Sequence, residues 1–197
     1  MILLKKIVLI IGYFSFINVC FFTTNISASI TDNTFNYVKI DNYKGYNKSI
    51  RKWKKPTAKV FIDSSSSQLT PYIVTAIKDW NSTNVFKFIL INDPTNADII
   101  IYKNFDPGAK TSGLTYSNVD NQSGYFIPTQ DIYLNDYFFE KYNTLQKVHT
   151  IAHELGHAIG LNHNESDKNS LMYPITTEKL IQPNDIKALR AIYNTPK

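Results

Sequence analysis

Eleven consecutive residues constrain this chain more than any others. They are His153-Glu154-Leu155-Gly156-His157-Ala158-Ile159-Gly160-Leu161-Asn162-His163, and they contain three of its four histidines. His153 and His157 are four positions apart, so on a helix they share one face, where two imidazole nitrogens can converge on a metal ion. Glu154 is rotated beside that pair, near a metal without having to bind it. Gly160 tolerates the left-handed conformation that commonly ends helices, so the chain can turn there and bring His163 round as a third ligand. Neutral imidazole suits zinc because it donates without cancelling the charge of the metal. Three histidines leave the fourth position of a tetrahedral zinc open, the mark of a catalytic rather than a structural site.

This stretch resembles the zinc-binding motif of the metzincin metalloproteases, matched at all five fixed positions: His153, Glu154, His157, Gly160 and His163. Metzincins also carry a methionine in a tight turn beneath the histidines. Here Ser170-Leu171-Met172-Tyr173-Pro174 places Met172 nine residues after His163. Its implied role is a hydrophobic floor, physically close to that of any core methionine. Tyr173 directly after the methionine, with Pro174 next, is similar to the matrixin branch. Astacin- and serralysin-like chains instead carry a zinc-proximal tyrosine two residues after it. Weaker matrixin-like pieces extend from Trp53 to Tyr193. They are Ala97-Asp98-Ile99-Ile100, Gly113-Leu114 before an edge strand, and Asp185-Ile186 in the last helix.

The resemblance implies a metzincin-like α/β (α+β) catalytic domain. Its twisted mixed sheet of about five strands and its three helices would form a cleft between a sheet-bearing N-terminal subdomain and a small C-terminal one. It further implies a zinc endopeptidase in which Glu154 takes the proton of the attacking water and passes it to the leaving amine. Substrate would add as a strand along Gly113, Leu114, Thr115 and Tyr116, and the loop Pro174–Ile181 would wall the pocket just beyond the cleaved bond. Three departures from the matrixin pattern stand out. Asn164 follows the third histidine where matrixins usually have serine. Residues 104–142 contain no histidine for a matrixin structural zinc, and Tyr133 stands where one would be. The pro-segment cysteine that keeps animal matrixins latent has no counterpart. A single catalytic zinc is therefore expected. Calcium could still bind through Asp106, Asp120, Asp131 or Asn135, although acidic loop residues are more often merely solvated. His149, one turn before His153, reads as a surface or second-sphere histidine rather than a fourth ligand.

Taken in order, the chain opens on two lysines, an apolar run over Ile7–Phe22 and the small residues Ser27-Ala28-Ser29. That is the pattern of a cleaved export signal over 1–29; a retained membrane anchor is the alternative, though the run is short for a span of about 20 residues. Cys20 would leave with the signal, and an exported protein without disulfides fits a bacterium better than an animal secretory pathway. Residues 30–50 read as an extension or short pro-segment, and 51–197 as the catalytic domain. Loss of the leader lowers the net charge from +5 to +3, and the remaining excess sits in residues 30–55, which carry seven Lys or Arg against two Asp. Lys44, Lys48, Arg51, Lys52, Lys54 and Lys55 could touch anionic cell-wall polymers or lipid head groups, or form a solvated linker and domain edge. No nucleic-acid module is recognisable. A secreted monomer acting on extracellular proteins results. Its rivals are a surface-binding protein that zinc merely stabilises, and a tethered protease.

The periodicities predict strands over Ala58–Asp63, Phe86–Ile91, Ala97–Tyr102, Leu114–Ser117 and Ile132–Leu134. A helix starts at Thr70-Pro71, with Thr70 as cap and Ile73, Ile77 and Trp80 facing the core. The histidine helix starts at Asn143, with Gln146 as capping-box partner and Leu145, Val148, Ala152 and Leu155 as its apolar stripe. The last helix begins near Pro183, with Asp185 complementing its positive end.

Overall fold

In strand β1 (Thr57–Ile62) Ala58 and Val60 are fully buried while Lys59 between them is exposed, the period-two pattern of a strand with one covered face. The same alternation buries Ile99 and Ile101 in β3 (Ile99–Asn104), and Ile132 and Leu134 in β5 (Gln130–Asn135). A computed structural model describes residues 51–120, 122–175 and 178–193. The expected leader, the extension, Lys44 and Lys48 lie outside the described residues.

With β2 (Lys87–Ile91) and β4 (Gly113–Tyr116) these strands form one five-stranded sheet in the order β2-β1-β3-β5-β4. Every neighbouring pair is parallel except β4 with β5, which is antiparallel. Helices α1 (Thr70–Ser82) and α3 (Thr144–Ala158) pack against each other. Ile73, Ile77 and Trp80 of α1 and Val148, Ile151, Ala152 and Leu155 of α3 join the inward strand residues in one core. Each large aliphatic or aromatic side chain so buried contributes about 1.5–3 kcal/mol. Trp80 also donates its indole N–H to the Ala152 carbonyl at 2.8 Å, which ties the last turn of α1 to the middle of α3. Helix α4 (Pro183–Tyr193) covers the far end with Leu189. This is the mixed α+β layer expected from the sequence.

Local differences have local causes. Thr70 is not a cap, because a 3-10 turn over Ser64–Leu69 runs straight into α1 and leaves Leu69 at the boundary. The side-chain cap lies earlier, where Asp63 accepts from the Ser65 N–H at 2.9 Å. Strand β3 starts two residues late because a turn over Pro94–Asn96 engages the Ala97 N–H. Leu145 is exposed rather than part of the stripe, since it falls in the first turn of α3. A short helix α2 (Asp136–Phe139), opened by Asn135, follows β5 where the sequence carries no periodic signal. Lys52 stands at the edge of the domain: it is half-buried, and its ammonium donates to the Ile192 carbonyl at 3.1 Å.

Candidate metal centre

Helix α3 begins as its sequence dictates. The Asn143 side chain accepts from the Gln146 N–H at 2.9 Å, and the Gln146 side chain accepts from the Asn143 N–H at 3.0 Å, so two of the orphan donors of the first turn are satisfied reciprocally. Its other end is closed just as fully. Gly160 has φ +104°, and the N–H groups of Gly160 and Leu161 donate to the carbonyls of His157 and Gly156, each at 3.0 Å. That is the paired bonding of a glycine-terminated helix. The next two carbonyls are taken by distant side chains: Trp53 donates its indole N–H to Ala158 at 2.9 Å, and Tyr193 its hydroxyl to Ile159 at 3.0 Å. Burial keeps that phenol well above its ordinary pKa. Arg51 packs its carbonyl where a β-carbon on Gly160 would sit. The reversal that delivers His163 is thereby fixed from three directions.

His153, His157 and His163 form the one group of three or more His, Cys, Asp or Glu side chains that converges to metal-binding distance among the described residues. The Nε2 atoms of His157 and His163 lie 3.1 and 3.2 Å from that of His153. A tetrahedral zinc with Zn–N of about 2.0–2.1 Å would separate its nitrogens by roughly 3.4 Å, so the observed spacing fits to within a few tenths of an ångström. The hydrogen bonding agrees. His153 Nδ1 lies 2.7 Å from the Leu171 carbonyl and His157 Nδ1 2.8 Å from the Leu161 carbonyl. A carbonyl only accepts, so each Nδ1 carries the proton and each Nε2 offers a lone pair toward the centre. Lone pairs that face one another repel, and a cation among them removes the conflict. Burial lowers the pKa of His153. Burial, with the two neighbouring rings, holds His157 well below its usual range, and burial and His153 bring His163 to about 4. All three are therefore neutral near pH 7, the form that binds metal.

Glu154 leaves the helix on the side of β4 and is buried there. Thr115 donates its hydroxyl to Glu154 Oε2 at 2.7 Å. Opposite it a β-carbon on Gly113 would lie 2.5 Å from Oε1 and 2.6 Å from Cγ, so the carboxylate occupies the space that the glycine leaves. Burial pushes this carboxyl up to about 7, and the Thr115 bond pulls the other way.

Below the histidines, Met172 is fully buried, and its sulfur lies 2.5 Å from the position of a β-carbon on Gly156. An isolated glycine inside a helix costs about 1 kcal/mol relative to alanine; here it lets the methionine turn approach the helix backbone. Asp185 secures that turn. Its buried carboxylate accepts from the Ser170 hydroxyl, the Leu171 N–H at 3.0 Å and the Gln182 N–H at 2.8 Å. Leu171, the residue that offers its carbonyl to His153, is therefore held by Asp185 through its own N–H, and the Met172 N–H donates to the Ser170 hydroxyl oxygen at 2.9 Å. The sequence placed Asp185 only at a helix start.

The structure thus gathers His153, His157, His163, Glu154, Gly113, Thr115 and Met172 at one locus. Leu114 and Tyr116 alternate outward, with 37% and 57% of their surface exposed, and among the described residues no strand pairs with the outer edge of β4. His149 is buried in α3 rather than at the surface, and it is not in the converging group. Three of the four calcium candidates, Asp106, Asp120 and Asn135, accept backbone N–H groups. Asp106 accepts from the Gly108 N–H, Asp120 from the Gln122 N–H, and Asn135 from the N–H groups of Asp106 and Tyr137. Tyr133 stacks on Tyr102. Sequence reasoning missed Trp53, Tyr193, Gly156 and the carbonyls of Leu161 and Leu171 as supports. The glycine within the histidine helix was the available signal for one of them.

The comparisons with known proteins agree with this geometry. The peptidase M10 matrixin profile matches residues 52–194. Human matrix metalloproteinase-20 is 27% identical over 204 residues, spanning 90% of this chain and 41% of the relative. Karilysin of Tannerella forsythia is 27% identical over 165 residues, spanning 74% and 34%. The chain therefore spans less than half the length of either relative. The solved structure of myroilysin shares the fold with a TM-score of 0.54 at 13% identity, covering 74% of this chain and 97% of that one. A family match over most of its length, with the three-histidine centre inside it, makes this chain a member of the matrixin family of metallopeptidases.

Proposed function

We propose that this chain is a secreted zinc-dependent endopeptidase that hydrolyses peptide bonds of extracellular proteins, exported by residues 1–29 and acting through residues 51–197. The observation that carries the reading is the convergence of three imidazole Nε2 atoms next to a buried carboxylate. His153, His157 and His163 hold one zinc ion, which when bound supplies Lewis acidity for a peptide carbonyl and lowers the pKa of water from 15.7 to about 7. Glu154 takes up the proton of the attacking water and passes it to the leaving amine, general acid–base work worth roughly 10²- to 10⁴-fold. An extended substrate adds to the open edge of β4, with main-chain hydrogen bonds for affinity and Leu114 and Tyr116 beside it. Met172 supports the histidines from below.

The test is cleavage of casein or an internally quenched peptide by the zinc-loaded chain. Turnover is expected to vanish on chelation, to return with zinc, and to fall at least 100-fold in Glu154→Gln while that variant keeps its metal. Zinc binding without turnover in the unaltered chain would instead indicate the surface-binding protein that zinc stabilises.

A further inference from the structure

The side of β4 that faces α3 meets Glu154 with two residues, Gly113 and Thr115. They are two positions apart, so they present the same face of the strand, and between them they bound the carboxylate. Gly113 leaves the volume that the carboxylate fills: an added β-carbon would lie 2.5 Å from Oε1, 2.6 Å from Cγ and 2.8 Å from Cδ. Thr115 is buried and directs its hydroxyl at the other oxygen, 2.7 Å from Oε2 and 3.1 Å from the Glu154 carbonyl. A hydroxyl has one proton to give. The shorter contact is to the carboxylate, and a charge-assisted bond is about twice as strong as a neutral one, so the proton goes to Oε2.

We infer that Thr115 is a positioning residue for the reaction: it engages Oε2, fixes the rotamer of Glu154 and leaves Oε1 as the oxygen that accepts the proton of water. The chain supports this division of labour, because Thr115 is the one side chain bonded to this carboxylate among the described residues. Gly113 offers no polar atom of its own beyond the backbone. A glutamate has three rotatable side-chain bonds, and a general base displaced by 1 Å can cost about 100-fold in rate. Thr115 thereby couples the strand on which substrate is proposed to lie to the group proposed to move the proton. The inference rests on the peptidase reading above, in which Glu154 carries the proton.

The experiment compares Thr115→Val, Thr115→Ser and Glu154→Gln in the full-length zinc-loaded chain, with kcat and KM for a quenched peptide measured separately and metal content measured on each. Valine keeps the shape of threonine and lacks its hydroxyl. Thr115→Val is expected to lower kcat about 10- to 100-fold, with KM changed less than twofold and one zinc retained. Thr115→Ser is expected to restore kcat to within about threefold of the unaltered chain. In the Glu154→Gln background the valine substitution is expected to cost nothing more, since residues acting as a unit are not additive. A merely structural threonine would show equal losses for Val and Ser, or a loss that follows zinc content. A normal kcat in Thr115→Val beside a silent Glu154→Gln would overturn the role of Thr115 and leave the peptidase reading intact. An active Glu154→Gln would overturn that reading itself. Should Thr115→Val fail to fold, Thr115→Ala against Thr115→Ser at equal zinc content makes the same comparison, and equal kcat values would reject the inference.

Discussion

The two sides of helix α3 are held in different ways. On the histidine side the rings are aimed by backbone carbonyls, those of Leu171 and Leu161, and the helix end is closed by backbone N–H groups and by Trp53 and Tyr193. On the strand side Glu154 is aimed by one hydroxyl and by the missing side chain of one glycine. A carbonyl is supplied by every residue type, so the first arrangement survives many substitutions of the residues that provide it. The second depends on two particular residues. The metal side should therefore fail through the fold, and the proton side through single atoms.

The largest effect that would separate the sides comes from the ligands. His157→Ala removes one of three imidazoles, and both bound zinc and turnover are expected to fall below detection; metal analysis of the purified protein checks it. Glu154→Gln should cost roughly 10²- to 10⁴-fold in kcat with one zinc still bound, a dissociation of function from metal that His157→Ala cannot show. Gly156→Ala comes next, and its sign is informative. Alanine in an ordinary helix position would stabilise by about 1 kcal/mol. Here the methyl meets the Met172 sulfur, so a loss of about 1–3 kcal/mol is expected from overpacking, read as a lower Tm of the zinc-loaded protein.

The smallest effect is a pH dependence in the metal-free protein. Burial raises the Glu154 carboxyl to about 7 in the folded chain from its ordinary value of 4.5. The folded state then binds its proton more tightly, and this contribution is present below about 4.5 and lost as pH rises through about 7. The histidines act in the opposite sense. With His157 well below 6.5 and His163 at about 4, their contribution is present above about 6.5 and lost as pH falls toward 4. Glu154→Gln removes only the first contribution. Its stability gain over the parent should be larger at pH 8 than at pH 5, as measured by urea midpoints without zinc. An equal gain at both would show that Glu154 does not titrate with a raised pKa.

Legibility divided instead between local patterns and long-range contacts. The spacing of His153, His157 and His163, the glycine at 160 and the Asn143–Gln146 box are local patterns, and each reappears where the sequence put it. Strand positions were readable because one-sided burial imposes alternation, as in Ala58 and Val60. What stayed hidden is what joins distant parts of the chain. Trp53 reaches Ala158 across 105 positions, and Thr115 reaches Glu154 across 39. Asp185 shows the limit most clearly. Its place at a helix start is local, but its hold on Ser170 and Leu171 exists only after the last helix has docked. Thr70 erred for the reverse reason, since a plausible cap was bypassed by a 3-10 turn that continues into the helix.

The central claim is that three histidines hold one zinc and leave a position open for chemistry. X-ray absorption on the full-length protein loaded with one equivalent of zinc tests it directly. Three imidazole nitrogens and one oxygen from water at about 2.0–2.1 Å are expected, with the same shell in Glu154→Gln. A shell of four protein ligands, or one with fewer than three imidazoles, would contradict it.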